Sequence, residues 1–358
     1  ISVKERSMPT TNPYALQFGQ EPQQLIPRES QLSEVVANFL SENGLQHIYM
    51  ITGIRGSGKT VFMTNVANSF DPKQWIVINV NVSSQISIVE QIVIQLANDK
   101  RLKNSFSLSS LSANIFGVDV KVDNAVPTTS AEYEATKLLK SASEKNLKVL
   151  ITIDEVTNTS SIKEFAGAFQ IWLRENQSVY LLMTGLYENI RELQDDKSLT
   201  FLYRSPRIDL FPLQMGAIKN NYEENLNITS EQAKEMARYT LGYSFAFQAL
   251  GYVVWNNGKY DKKALQEYRQ ILADFSYEKI WSELSDNDRK VCIAIAESSY
   301  CEYKEVKSIL NWDNNQLNPY RKRLINKQII SDKKRGFMPF TLPLFKEFIN
   351  DQVEYETW

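Results

Sequence analysis

The sequence predicts an α/β protein whose core is a covered parallel sheet, followed by a helix-only segment and then a mixed segment of three helices and a short wing. Three observations carry that expectation. Short apolar runs alternate with amphipathic helical patterns up to about residue 213. A glycine-rich loop, Gly53–Thr60, sits directly between the first such run and the helix after it. Beyond residue 213 the strand runs stop, and from Tyr277 a new pattern with a strongly basic stretch begins.

At 358 residues the chain exceeds one ordinary core, and a prior of roughly 100–200 residues per domain suggests two or three domains. Apolar residues at 43% and charged residues at 23% are ordinary for a folded protein and argue against disorder. A net charge of -2 argues against a global polyanion binder, so basic patches must be sought locally. The two cysteines, Cys292 and Cys301, lack CxxC or Cys/His ligand spacing, and a zinc site is not expected. With a single histidine, His47, at the head of an apolar run, hydrolytic triads and His-rich metal centres are set aside. No stretch approaches the roughly 20 apolar residues of a membrane span, and the start lacks a signal pattern, so a cytoplasmic location is expected. The chain begins with Ile rather than Met, which leaves its native N-terminus open.

Residues 1–27 are rich in Pro, Gln, Ser, Thr and Asn and read as an extended arm. From Arg28, the spacing of Val35, Val36, Phe39 and Leu40 gives one apolar face of a helix, stopped at Asn43-Gly44. Strand Ile48–Thr52 precedes the loop and helix Val61–Phe70. Strand Trp75–Val80 precedes helix Ile86–Asn98, helix Ala131–Lys145 leads into strand Val149–Ile153, and helix Ile162–Asn176 leads into Val179–Thr184. Buried strands alternating with helices imply parallel βα units. Arg207–Leu210 adds a fifth strand. Between Ser105 and Pro127 the alternation breaks, and Leu108–Asn124 reads as an inserted hairpin. Residues 214–272 read as helices only: Ser230–Leu241, Ala246–Trp255 and Lys262–Phe275. Helices Asp286–Ala296, Tyr303–Leu310 and Asn315–Lys327, with Ile329-Ile330 and a turn at Lys333–Gly336, suggest a winged helix.

The loop Gly53-Ile54-Arg55-Gly56-Ser57-Gly58-Lys59-Thr60 matches G-x-x-x-x-G-K-[ST] in the strand-loop-helix context that the motif requires. Glycines let successive N–H groups face inward, and the N-terminus of the following helix adds positive potential, giving an anion nest. ATP with Mg²⁺ is the expected ligand. The nucleotide-binding set is Gly53, Gly56, Ser57, Gly58, Lys59, Thr60 and Val61, with Lys59 reaching the β- and γ-phosphates and Thr60 offering its hydroxyl to Mg²⁺. Val149–Ile153 ends in Asp154-Glu155, the Walker B arrangement. Asp154 is expected to hold Mg²⁺ through its water shell and Glu155 to polarise the attacking water. Thr184, at the end of the next strand, is a candidate water-positioning hydroxyl.

On these residues the chain resembles AAA+ ATPases of the branch that contains archaeal-type ATPases, origin-recognition-type initiators and STAND signalling NTPases. Ile26–Leu32 looks like the Arg-Glu-x-x-Leu box that lines the adenine pocket in that branch, which implies that Arg28 contacts the nucleotide. Met50–Thr60 looks like its Walker A, Leu150–Glu155 like its Walker B and Leu181–Leu186 like its sensor 1 strand. Phe201–Arg204 before Ile208–Leu213 looks like the segment bearing an arginine finger, which implies a catalytic role for Arg204. Gly242-Tyr243-Ser244 looks like the Gly-x-Pro turn of the lid, and Tyr277–Phe348 like the C-terminal winged helix. Serine stands where the lid proline is usual, and helix Ala246–Trp255 has no sensor 2 arginine.

The resemblance implies an α/β, parallel-sheet P-loop NTPase core at 46–213 after an arm and helix at 1–45, a helical lid at 214–274 and a winged-helix domain at 275–358. It implies an ATPase of modest turnover that acts as a switch. Two outputs stay open: duplex DNA bound through the winged helix, or a STAND-like signalling or defence role in which the winged helix contacts its own chain or a protein. A self-associated oligomer fits either. A small-molecule kinase shares the loop, but the lid and trailing domain are superfluous to one. Between Lys304 and Lys346 stand ten basic residues and three acids, 10 − 3 = +7 in a chain of net -2. Lys333, Lys334 and Arg335 at the wing tip are the residues expected to touch phosphates.

Overall fold

The computed structural model describes residues 11–16, 23–41, 44, 46–102 and 130–356; the expected hairpin at Leu108–Asn124 lies outside them. Two compact units form. One comprises Glu29–Thr52 and Lys59–Asp209, the other Ile1–Arg28, Gly53–Gly58 and Leu210–Trp358.

The first unit is built on five parallel strands: β1 (Ile48–Thr52), β2 (Trp75–Val80), β3 (Lys148–Ile153), β4 (Val179–Gly185) and β5 (Arg207–Asp209), in the order β2-β3-β4-β1-β5. Helices α1 (Glu29–Leu40), α2 (Lys59–Asn68), α3 (Ile88–Asn98), α4 (Ala131–Glu144), α5 (Ser160–Arg174), α6 (Tyr187–Asp195) and α7 (Thr200–Tyr203) complete it. Because side chains alternate across a strand, each strand serves two cores. Ile48 and Met50, Val149 and Ile151, and Leu181 and Met183 join α3, α4 and α5 in one apolar cluster, where Trp172 is fully enclosed. Such a side chain contributes about 1.5–3 kcal/mol relative to exposure. On the opposite face Phe39 of α1 packs on Tyr49 and Tyr180, with ring centroids 5.6 and 4.9 Å away. His47 belongs to this aromatic group, stacked on Tyr180 at 4.8 Å with Nδ1 2.9 Å from the Val179 carbonyl, a structural histidine.

Local chemistry sets the helix starts. Ser87 and Glu90 form a capping box at α3, and Ser130 and Thr159 cap α4 and α5 by accepting the N–H of Tyr133 and Ile162.

The second unit holds helices α8 (Met215–Asn225), α9 (Ser230–Thr240), α10 (Ser244–Asn257) and α11 (Lys262–Leu272). The arm does lie against something: Tyr14 is buried over Gly251, where a β-carbon would meet its ring at 2.6 Å, and its hydroxyl donates to Asn221 Oδ1 at 3.0 Å. A π turn, Ala273–Tyr277, leads into α12 (Glu278–Ser282). Then come α13 (Asp286–Glu297), α14 (Tyr303–Leu310), α15 (Asn314–Asn326) and α16 (Phe345–Glu356). The three helices expected of a winged helix are present within a residue of their expected bounds. The two-stranded wing is not a ladder: it consists of single antiparallel bridges, Ile330 with Phe340 and Glu302 with Phe337. Pro339, whose carbonyl accepts the Ser331 N–H at 2.9 Å, has no N–H to extend the pairing. The turn between closes at Gly336, φ +83°. Among the described residues no helix is long and apolar enough to cross a membrane.

Candidate nucleotide site

Parallel register brings the functional ends of three strands together. Ile51 pairs with Thr184 and Ile153 with Met183, so the carboxyl ends of β1 and β3 flank that of β4. The carboxyl ends of an open parallel sheet are where α/β proteins bind ligands.

Asp154 is the hub of the sheet side. Its Oδ2 accepts the Thr60 hydroxyl at 2.6 Å, its Oδ1 accepts the Thr184 hydroxyl, and the Glu155 N–H lies 3.1 Å from the same Oδ1. Thr184 is fully buried, and its oxygen also accepts the Glu155 N–H at 3.1 Å. The hydroxyl expected to position water is thus committed to the acidic pair, fixing Asp154 and Glu155 to each other. Glu155 is exposed and holds φ +52°, the left-handed region that costs a non-glycine residue about 1–2 kcal/mol. The Val156 N–H bonded to the Thr184 carbonyl at 2.8 Å is one restraint that keeps it there. Lys59, first residue of α2, is 9% exposed, and Val61 is half-buried one turn-start later. Strained backbone maintained by surrounding bonds is a mark of functional positions.

The loop itself, Gly53–Gly58, has φ +72° at Gly56 and +89° at Gly58. A β-carbon on Gly53 would land on the Ser57 hydroxyl, and one on Gly56 on the Tyr243 hydroxyl and on Phe245 Cβ, so both positions demand glycine by close approach. Ser57 Oγ is buried with no hydrogen-bond partner among the described residues, an acceptor and donor of the kind a ligand satisfies.

The carbonyls of Arg55, Gly56 and Ser57 are all taken. Tyr243 Oη donates to Arg55 O at 2.6 Å, Phe245 N to Gly56 O at 3.0 Å, and Ser244 Oγ to Ser57 O at 3.0 Å. Arg28, expected to contact the nucleotide, reaches Ser57 O (3.1 Å), Ser244 Oγ (3.3 Å) and the Phe211 carbonyl. Burial pushes its guanidinium pKa down to about 10, so it stays charged at neutral pH. The Arg55 side chain pairs with Glu283, Nη2 2.7 Å from Oε1 and Nε 3.1 Å from Oε2.

Beside the loop lies a cavity of about 180 Å³. Its walls include Arg28, Ile54, Ser57, Ser244, Ile330 and Leu342. That is on the order of ten single-water volumes, room for an aromatic base. Arg204 closes α7, on the exposed surface, in a segment held by the Gln194 amide, 3.3 Å from Leu202 O.

Of the expected residues, Thr60, Asp154, Glu155 and Thr184 are in direct contact, and Arg28 touches the loop; Arg204, at the end of α7, is not part of either group. Sequence reading missed Tyr243, the Ser244 hydroxyl and Glu283 as loop partners. In the sequence Tyr243 and Ser244 stand out only as part of a lid turn, and nothing local marks Glu283.

Residues 25–201 match the family model of an ATPase domain predominantly from Archaea, and residues 275–349 match a domain of unknown function. No curated protein matches the chain. Among solved structures, a Walker-type ATPase of Pyrococcus abyssi is similar at 16% identity and TM-score 0.64, over 91% of this chain and 96% of that one. The ORC2 protein of Aeropyrum pernix, in ADPNP and ADP complexes, is similar at 12% identity and TM-score 0.58, over 96% of this chain and 98% of that one. At these identities the structural likeness speaks for the fold: α/β, with a five-stranded parallel sheet of the P-loop AAA+ type. Over residues 25–201 the chain is similar to the ATPase domain family found predominantly in Archaea.

Proposed function

We propose that the protein is an AAA+ switch that binds ATP with Mg²⁺ at Gly53–Thr60, hydrolyses it slowly, and uses the bound state to control duplex DNA binding by a winged-helix domain at 275–358. The observation that carries the nucleotide chemistry is the contact of Thr60, Thr184 and the Glu155 amide with the single carboxylate of Asp154. Two hard oxygens, Thr60 Oγ1 and Asp154 Oδ2, suit a small cation that keeps water and phosphate oxygens for the rest of its shell. Among the described residues no group of three or more His, Cys, Asp and Glu offers an all-protein cage, which fits Mg²⁺ better than a structural metal. When bound, Mg²⁺ supplies charge neutralisation at the β- and γ-phosphates. Lys59 supplies a second positive charge there, Glu155 takes the proton of the attacking water, and Thr184 holds both acids in place. Arg28 and the cavity wall receive the base, ATP and ADP alike. The absence of an arginine in α10 at the sensor 2 place supports slow turnover. Phosphate release measured with and without Mg²⁺ tests this; no turnover in either condition refutes it.

Arg204 is the proposed finger, acting on the transition state from a neighbouring copy or from its own chain. Arg204→Ala is expected to lower turnover roughly 100-fold, the lower end for one lost charge donor because the side chain is exposed. A normal rate at every protein concentration removes Arg204 from the mechanism.

The DNA proposal rests on α15 and the wing. Asn314, Asn315, Gln316, Asn318 and Lys322 of α15 are exposed, as are Lys333, Lys334 and Arg335. Amide side chains suit base edges and the wing cations suit phosphates. Part of the basic excess is used internally: Arg323 bonds Asp288, which is 1% exposed, and Lys346 reaches Ser298 O. Replacing Lys333, Lys334 and Arg335 together by alanine is expected to weaken duplex binding about ten-fold or more at low salt and to flatten the salt slope by up to about three. Gel-shift titrations at several salt concentrations, with and without ATP, measure both.

One observation favours the second reading, a STAND-like protein switch: Glu283, in the C-terminal segment, grips Arg55 of the nucleotide loop. Wild-type protein that binds no duplex at low salt with ATP present would replace the DNA output by that one.

A further inference from the structure

The nucleotide loop is held from behind. In a planar trans peptide the carbonyl of one residue and the N–H of the next point in opposite directions. Anchoring the carbonyls of Arg55 and Ser57 therefore aims the N–H groups of Gly56 and Gly58 away from the anchor. The anchors are three successive residues of one turn: Tyr243 through its hydroxyl, Ser244 through its hydroxyl and Phe245 through its amide. The turn in turn is fixed at Gly242, φ +77°, where a β-carbon would meet Leu213 O at 2.6 Å, and by Leu213 N bonded to Gly242 O at 2.7 Å.

The proton bookkeeping at Tyr243 is definite. Its hydroxyl has one hydrogen, and the Arg55 carbonyl can only accept, so that hydrogen goes to Arg55. Ser276 Oγ, 2.7 Å from the same oxygen, must then be the donor to Tyr243. Ser276 is itself buried, on the π turn. The two bonds made by one phenol are thus separable by mutation.

We propose that Tyr243 and Ser244 are positioning residues for phosphate binding, which hold the carbonyl edge of the Gly53–Gly58 loop so that its N–H edge faces the phosphates. Serine at the lid turn is then a gain of function at that position: its hydroxyl ties the loop as a proline could not. The inference rests on the nucleotide reading of the loop. It also explains why Gly56 must be glycine, since the Tyr243 hydroxyl occupies the space of its β-carbon.

The test is a titration of full-length protein with ATP and with adenosine, which lacks the phosphates. Tyr243→Phe keeps the ring and loses the anchor; Ser244→Ala loses the second anchor at a partly exposed position. Each is expected to raise the Kd for ATP about ten-fold, in keeping with one buried hydrogen bond lost; Tyr243→Phe leaves the Kd for adenosine unchanged, and Ser244→Ala, whose hydroxyl also stands in the cavity wall, raises it by much less than that for ATP. Ser276→Ala removes only the bond that Tyr243 accepts. It is expected to lower the Tm, by less than Tyr243→Phe does, yet keep wild-type ATP affinity. The proposal is overturned if Tyr243→Phe and Ser244→Ala bind ATP as tightly as wild type, if adenosine binding falls in step with ATP, or if Ser276→Ala loses as much affinity as Tyr243→Phe. Should Tyr243→Phe fail to fold, Ser244→Ala alone decides. Wild-type protein that binds neither ligand would instead refute the nucleotide reading underneath.

Discussion

Lys59→Ala is expected to abolish measurable ATP binding while the protein stays folded. Lys59 opens α2 directly after the loop, and at 9% exposure it is enclosed, so little solvent would fill its role. The other cation of the loop, Arg55, is held by Glu283 in a two-point contact and cannot move in without breaking that pair. Leaving phosphate charge uncompensated in an enclosed site costs about 3–5 kcal/mol, which is a Kd higher by roughly 10²–10⁴-fold. Alanine is the best helix former, so the start of α2 loses little from the change itself. Calorimetric titration with ATP, with a thermal melt of each protein beside it, gives the answer. Unchanged affinity would sink the assignment of the loop.

What the sequence made legible follows from how each element is stabilised. Strands β1, β3 and β4 are readable to within about a residue because each is a nearly continuous buried run, and β2, Trp75–Val80, is marked by its Val and Ile residues although Val77 and Asn79 are exposed. Helix α2 begins at Lys59 rather than Val61, since the glycine loop turns straight into its first turn. Helix α5 begins at Ser160 because the Thr159 cap, not the first apolar residue, sets the start. Helix α8 was missed: among its polar residues only Ile218 and Tyr222 are buried apolar side chains, too few for a periodic signal. The loop Gly53–Thr60 and the Asp154-Glu155 pair stand out in the sequence because the residues of each are contiguous. The loop anchors do not, because a bond between Arg55 and Glu283 spans 228 positions and needs the fold to exist.

Glu155→Gln is expected to leave ATP binding intact and to reduce turnover by about 10²–10⁴-fold, the contribution of a positioned general base. The amide keeps the size of the carboxylate but cannot take a proton from water. The backbone contacts at this position, from the Glu155 N–H to Thr184 Oγ1 and Asp154 Oδ1, do not depend on the side chain, so the cation and phosphate contacts survive. A second substitution sharpens the argument. Glu155 sits at φ +52°, where glycine is at no disadvantage. Glu155→Gly is therefore expected to match or exceed the wild-type Tm, by up to a few degrees for about 1 kcal/mol of relieved strain, while turnover is lost. A gain in stability together with loss of hydrolysis marks a residue held under strain for its chemistry. If Glu155→Gln released phosphate at the wild-type rate, or if Glu155→Gly unfolded at a markedly lower temperature, the carboxylate would be a structural group and the attacking water would need another base.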